Sequence, residues 1–545
     1  MDRRSFIKNT SLGLGAVSNL KVGQLDVSAF NTLYQTDQEN ENILVIVQLF
    51  GGNDGINTII PHEWPDYYNR FRPKLAIPQG LALPFGDPAL GDAMHPSLGN
   101  GMNGGMHGLF KNGKLAVIQG VGYSHPNLSH FRSTDIWFSG LVPSNDGQSL
   151  PTGWLGRYFD QYRNEGLPDS PYCIHVGKSP LLLFQGEQEE RAILVEDPQL
   201  LFEQGKAVEY DKITLGEKTL FSEEFDYIND IGIKINHFSV GIKDAFEKGK
   251  NTVNYATDGL SNQLKLVARL IDGGLKTKVY SVSLDGFDTH AGQGTNEGIH
   301  SQLLHQLSVS ISAFQADMEA LGHAKKVLGI TVSEFGRRPY ENASFGTDHG
   351  TANVMFAFGE PVKPRVFGTN LAYLPFFDYE NLAFRYDFRS IYQEILRTWF
   401  GTSSIFSETV LGGKFAMVEG EGFLKATAPD PTLPAQPVLP DTNNDPRSPN
   451  NPNNPYNVTK QDEFYLFPNP TADGKVNLSM VLYIENEVSI TQIDFQGRVL
   501  GEIKSKKLYR PGGYLLNLQL VGNPGLHFLK IIVGRRKHFL KVIKL

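Results

Sequence analysis

VLGITVSEFGRRPYENASFGTDHGTANVMFAFG, residues 327–359, is the stretch that decides the fold. An apolar run, Val327 to Val332, empties into Ser333-Glu334-Phe335-Gly336-Arg337. A polar loop follows, then Thr347-Asp348-His349-Gly350 and a second apolar run, Val354 to Phe358. Short apolar runs without polar alternation read as strands buried on both faces, the kind found in sheets covered by helices. Glu, Arg, Asp and His then lie at a strand end, and open α/β sheets bind their ligands beyond the carboxyl ends of the strands.

Working outward, the same alternation fills residues 40 to about 415. Further strand candidates are Ile43–Phe50, Leu115–Gln119, Cys173–Val176 and Lys278–Leu284. Helical spacing of apolar residues marks 260–274, 301–322 and 388–401. Strands alternating with helices imply an α/β domain with a mostly parallel sheet flanked by helices. The segment from about 180 to 260 reads as a partly helical insert capping the sheet edge, with no chemical role.

The totals set the outer limits. At 545 residues, two or three domains are expected. Composition is that of a soluble protein, 40% hydrophobic and 20% charged with mean hydropathy −0.26. No apolar run reaches the roughly 18 residues a membrane helix needs, so no transmembrane segment is expected. A net charge of −8 argues against nucleic acid as a partner. The single cysteine, Cys173 in SPYCIHVG, excludes an intrachain disulfide or a thiolate metal site and reads as a buried strand thiol.

Composition also divides the chain. The start, with Arg3-Arg4-Ser5-Phe6-Ile7-Lys8 before a mildly apolar stretch, resembles a twin-arginine export signal over residues 1–35. Residues 429–455 hold nine prolines in 27 positions, so 425–460 reads as an extended Pro/Asn-rich linker. Beyond it, 461–545 carries +5 against −13 for the remainder, and its alternating runs imply a small antiparallel β-sandwich of about seven strands.

Four loops that follow strands carry the chemistry. Gly51-Gly52-Asn53-Asp54-Gly55 leaves Asp54 at a strand tip; GVGYSHPNLSHFRS supplies His125, Ser129, His130 and Arg132. DGFDTHAGQ holds Asp285, Asp288, His290 and Gln293, and the opening stretch holds Glu334, Arg337, Asp348 and His349. Asp288 and His290, two apart in an extended segment, point to one side and can share an ion. Carboxylate with imidazole suits Zn, Mn or Fe, and a carboxylate-rich set admits Mg or Ca. Such an ion with Arg132 or Arg337 as a planar donor fork is a part list for hydrolysing a phosphate or sulfate ester.

Two resemblances add to this reading. GGNDGINTIIP, SHFRSTDIW, GWLGRYFD, GFDTH, SEFGRRPYENASFGTDHG and the Phe388–Gly401 helix resemble the DUF1501 family of exported proteins, itself related to the alkaline phosphatase and sulfatase superfamily. That resemblance implies an alkaline-phosphatase-like core and a metal-dependent hydrolase. Asp54 stands for the first metal-binding aspartate, and Ser129 for the nucleophile or a group orienting water. Asp288 and His290 stand for one metal site, Glu334 for the second site's aspartate and His349 for the late histidine. Arg337 is assigned to the substrate anion. Glu334-Phe335 stands where an Asp-His pair is expected, so an imidazole is missing there, with His130 or Asp348 as its replacement. The altered second site keeps a rival open, a non-catalytic surface or periplasmic protein that retains the fold to bind a partner, glycan or ion. FPNPTADGKVNL, IDFQGRVL and GLHFLKIIVGRRKHFLKVIKL resemble a type A sorting domain of type IX secretion, which implies that machinery as a partner and delivery to the cell surface.

Overall fold

ILVIVQLF, residues 43–50, is buried along nearly its whole length because it runs through the middle of a large sheet. The computed structural model describes residues 21–22, 25–26, 40–86, 91–145, 147–162, 167–187, 189–206, 220–376, 380–425, 463–467, 474–482, 486–494, 498–509, 512–523, 525–533 and 536–544. Nearly all of the twin-arginine-like segment and of the Pro/Asn-rich linker lies outside these residues, as does FPNPTADG after its first phenylalanine and before its glycine.

The body, one of two compact units, is built on a nine-stranded sheet. Its strands are β1 (Ile43–Phe50), β2 (Leu115–Gly122), β3 (Cys173–His175), β4 (Ala192–Leu194), β5 (Val279–Asp285) and β6 (Val327–Val332). A hairpin of β7 (Arg337–Glu341) and β8 (Thr347–His349) stands apart from the sheet, which resumes with β9 (Asn353–Phe358), β10 (Val366–Phe367) and β11 (Tyr386–Asp387). The order is β10-β2-β9-β6-β1-β5-β3-β4, with β11 also on β2. Every pairing is parallel except the two made by β9. The expected mostly parallel α/β sheet is therefore the observed one. Sequence reading missed β4, β10 and β11, each too short to show a period.

Helices α1 (His130–Ser139), α2 (Gly259–Asp272), α3 (Ile299–Ala320) and α4 (Phe388–Glu394) cover both faces. Alternate residues of β1 enter different cores. Val45, Val47 and Leu49 pack with Leu264 of α2 and Leu307 of α3, whereas Leu44 and Ile46 pack with Trp137 of α1 and Ile391 of α4. This two-sided burial is why the strand shows no polar alternation. At roughly 1.5–3 kcal/mol per buried large aliphatic side chain, it is also what fixes the strand at the centre. Residues 388–401 keep α geometry only to Glu394 and finish in a π turn, Ile395–Trp399.

The second unit carries β12 (Glu463–Phe467), β13 (Lys475–Leu482), β14 (Asn486–Asp494), β15 (Val499–Tyr509), β16 (Gly512–Gln519), β17 (Gly525–Val533) and β18 (Arg536–Lys544). They form two antiparallel sheets, β12-β13-β16 and β15-β14-β17-β18. Leu478 and Met480 of one sheet share a core with Ile490 and Ile531 of the other, as in a sandwich. Among the described residues no helix is long and apolar enough to cross a membrane.

Strands β1, β2, β5 and β6 run parallel, and β9 starts where they end. The loops after β1, β2, β5 and β6 therefore open at one edge. All four polar loops picked out in the sequence are brought to this edge by topology alone.

Candidate metal centre

Asp288, in the loop after β5, has its side chain 46% exposed and is the point on which the other groups converge. Its Oδ1 accepts from Arg337 Nη2 at 2.7 Å and lies 3.2 Å from His349 Nε2 and 3.3 Å from His290 Nε2. Its Oδ2 lies 3.4 Å from His130 Nε2. Burial alone would raise this carboxyl, but the hydrogen bond and charge of Arg337 lead the effects that hold it at about 2.

Each imidazole is oriented from behind. His349 Nδ1 lies 2.8 Å from the Leu128 carbonyl, which only accepts, so the proton sits on Nδ1 and Nε2 carries a lone pair. His130 Nδ1 lies 2.7 Å from Glu334 Oε1, a carboxylate oxygen that also accepts from Gly51 N at 2.8 Å. The same reasoning puts the His130 lone pair on Nε2, which is buried with no hydrogen-bond partner. His290 Nδ1 lies 3.1 Å from Asp348 Oδ1. Burial would raise Asp348, yet bonds from Asn342 and His290 bring it below the usual carboxylate value, so it accepts. His290 Nε2 then faces His349 Nε2 at 2.9 Å.

Three lone pairs and an anion pointing at one another repel unless a proton or a metal cation lies between them. A metal ion bound at about 2.0–2.2 Å places neighbouring ligand atoms roughly 3 Å apart. The observed 2.9, 3.2, 3.3 and 3.4 Å separations fit that requirement. His130, Asp288 and His349 form the group among the described residues whose ligand atoms lie within 4.8 Å of one another. His290 joins it through His349. Glu334, Asp348 and the Leu128 carbonyl are the outer partners that fix each ring. The Glu334 bond raises His130 against the effect of burial, whereas burial lowers His349.

Backbone closeness makes this convergence possible. A Cβ on Gly51 (φ +117°) would lie 2.3 Å from Asp288 N, and one on Gly346 would lie 2.3 Å from the His290 carbonyl. Glycine is required at both places.

Of the expected residues, Asp288, His290 and His349 meet; three others require correction. Asp54 is fully buried away from the cluster, with Oδ2 2.6 Å from Arg72 Nη1 and Oδ1 3.0 Å from Arg72 Nη2. It is the carboxylate of a buried ion pair. Arg337 has no free fork for a substrate anion: Nε donates to Gly52 O at 2.7 Å and Nη1 to Thr347 O at 2.8 Å. Its Nη2 serves the Gly51 and Phe287 carbonyls and Asp288. Its role is to hold Asp288. Glu334 lies behind His130, not at a second ion. Ser129 is exposed at the N-cap of α1, where its side chain makes no cap bond, one residue before His130. His130 Nε2 lies 3.4 Å from Asp288 Oδ2, where an imidazole was missing from the sequence pattern, and Asp348 Oδ1 stands behind His290.

The fold and site define an α/β protein with an imidazole–carboxylate centre at the carboxyl edge of its sheet. Residues 243–381, which include Asp288, His290, Glu334, Arg337 and His349, match the family described as "Protein of unknown function (DUF1501)". Comparison with curated proteins returns no match. Among solved structures, the chain is similar to a protein of the alkaline phosphatase superfamily from Vibrio parahaemolyticus at 9% identity, covering 88% of this chain and 79% of that one with TM-score 0.33. It is also similar to the PsFucS1 sulfatase from Pseudoalteromonas sp. at 10% identity, covering 96% and 91% with TM-score 0.31.

Proposed function

We propose that this chain is an exported, metal-dependent hydrolase acting on phosphate or sulfate esters of small molecules or glycans. The observation that carries the metal is the set of three Nε2 lone pairs aimed at one ionised carboxylate. His130, His349 and Asp288 would hold the ion, with His290 beside them. A donor set with three nitrogens favours Zn or Mn over Mg or Ca, which prefer all-oxygen sites. When bound, the ion supplies Lewis-acid polarisation of an ester oxygen and a nucleophile at neutral pH.

The protein's own groups do the rest. Glu334 and the Leu128 carbonyl accept from the Nδ1–H groups of His130 and His349, which turns both Nε2 atoms toward Asp288. Asp348 sits 3.1 Å from His290 Nδ1, placed to accept or return a proton there. Asp288 and His290 remain 46% and 44% exposed, so a substrate can reach this side of the centre.

Purified protein is expected to carry stoichiometric Zn or Mn and to hydrolyse p-nitrophenyl phosphate or sulfate, with loss of turnover on chelation. Ser129→Ala should leave the metal content unchanged. Loss of turnover in that variant would place Ser129 as nucleophile, and retention would leave water in that role. The displacement of Arg337 and Asp54 from anion and metal binding favours a second reading, a metal-binding surface protein without turnover. Stoichiometric metal with no hydrolysis of either ester would select it.

Export rests on the Arg3-Arg4 segment and on the tail, proposed as a type IX sorting domain that engages the secretion machinery. Removal of residues 461–545 should retain the body in the periplasm, read by cell fractionation. Unchanged surface delivery would overturn that assignment.

A further inference from the structure

Gln293 lies in the loop between β5 and α3 and is completely buried. Its Nε2 donates to Asp54 Oδ2 at 2.6 Å, while its Oε1 accepts from Thr289 Oγ1 at 2.9 Å and Thr347 Oγ1 at 2.7 Å. The partners fix the amide's orientation: an ion-paired carboxylate accepts only, and two hydroxyls can donate.

The two threonines are not arbitrary neighbours. Thr289 stands between Asp288 and His290; Thr347 begins the strand that ends in His349. Their backbones are bonded directly, Thr347 N to Thr289 O at 3.1 Å. On the other side of Asp54, Arg72 donates to the Pro339 carbonyl at 2.6 Å and to the Arg338 carbonyl at 2.9 Å, both on β7. A closed ring of bonds thus runs from β7 through Arg72, Asp54 and Gln293 to β8, with a branch to the loop of Asp288 and His290. Arg72, Asp54, Gln293 and Thr347 are all fully buried. No side chain of the ring is hydrogen-bonded to His130, Asp288, His290 or His349.

We propose that Gln293 is a positioning residue that sets the separation between the loop carrying Asp288 and His290 and the hairpin carrying His349. This inference rests on the metal reading above. An amide suits the task because one planar group offers a donor to the buried carboxylate and an acceptor to both ligand-bearing segments. Its bonds fix the distance across which the ligand atoms must meet, and the close approach at Gly346 leaves little slack on the same contact.

Gln293→Met keeps the length and removes all three bonds. Co2+ added to the metal-free full chain reads the centre through its visible absorption. Gln293→Met is expected to raise the Co2+ dissociation constant roughly 10–100-fold and to alter the visible band, as loss of outer-shell support does at metal centres. Gln393→Met provides the comparison. That buried amide clamps Phe415 through two bonds of 2.7 and 2.9 Å and touches none of the ligand loops. It should lower the melting temperature while leaving Co2+ affinity and spectrum alone. A folded Gln293→Met protein whose Co2+ affinity stays within about twofold of the parent overturns the proposal. Should that variant fail to fold, Thr347→Val, which removes one bond to the same amide, is read in the same way. A parent chain that binds no Co2+ defeats the metal reading itself and this proposal with it, an outcome distinct from equal binding by parent and variant.

Discussion

His349→Ala is expected to abolish stoichiometric metal binding and, with it, hydrolysis. Four protein groups converge on the centre, and structural zinc sites of comparable ligand number bind with about 10–16 kcal/mol. One ligand's share is then roughly 3–4 kcal/mol, or two to three orders of magnitude in affinity. Glu334→Gln retains an acceptor for His130 Nδ1 and should weaken binding only about 10–100-fold. Thermal unfolding separates loss of a ligand from general damage. Metal at a hundred times its dissociation constant stabilises a native protein by about 2.7 kcal/mol, and that increment should vanish in His349→Ala. The metal-free variant should melt no lower than the metal-free parent, because removing one of two Nε2 atoms held 2.9 Å apart relieves a repulsion. Metal content unchanged by His349→Ala would sink the centre as drawn.

How far the sequence shows this follows from which contacts are local. The sheet was legible because two-sided burial leaves uninterrupted apolar runs at 43–50 and 327–332, and helix periods fall between them. Asp288 and His290 were legible as a pair because two residues in an extended loop share a side. His349 and Glu334 were legible as strand-end polar residues, but whether a group ligates or stands behind a ligand depends on a partner distant in the chain. Glu334 meets His130 across 204 positions. In the sequence Arg337 looks like a free fork because its consumption by the carbonyls of Gly51, Gly52, Phe287 and Thr347 leaves no trace in composition. His130 is visible in SHFRS only as a replacement, and its place at the first turn of α1 brings its Nε2 to 3.4 Å from Asp288 Oδ2. Asp54 misled for a simple reason. Its counterion, Arg72, lies 18 residues on in a stretch that reads as an ordinary turn before Pro73.

That counterion supports the second large effect. Arg72→Met should destabilise the body by about 3–5 kcal/mol at neutral pH, the usual consequence of removing one partner of a buried ion pair. Arg72 also donates to the Arg338 and Pro339 carbonyls, so the substitution leaves two buried acceptors with it. The four tryptophans, Trp64, Trp137, Trp154 and Trp399, all lie in the body, so urea unfolding followed by tryptophan fluorescence reports this unit alone. The pH dependence gives the sign. Burial would raise the Asp54 carboxyl, but Arg72 reverses that and holds it below its ordinary value. In the parent this group therefore stabilises the fold fully above its unfolded pKa of about 3.9, and the contribution is lost as pH falls through the folded value. Without Arg72, burial prevails and the folded value rises above the unfolded one, so the variant gains from protonation as pH drops. The deficit of Arg72→Met should be largest near pH 7 and shrink toward pH 4. Asp54→Asn combined with Arg72→Met should recover part of the loss, since no unpaired charge then remains, and the two changes will not add. A deficit that stays constant from pH 7 to pH 4 would mean that the charge pair is not what holds Asp54 in place.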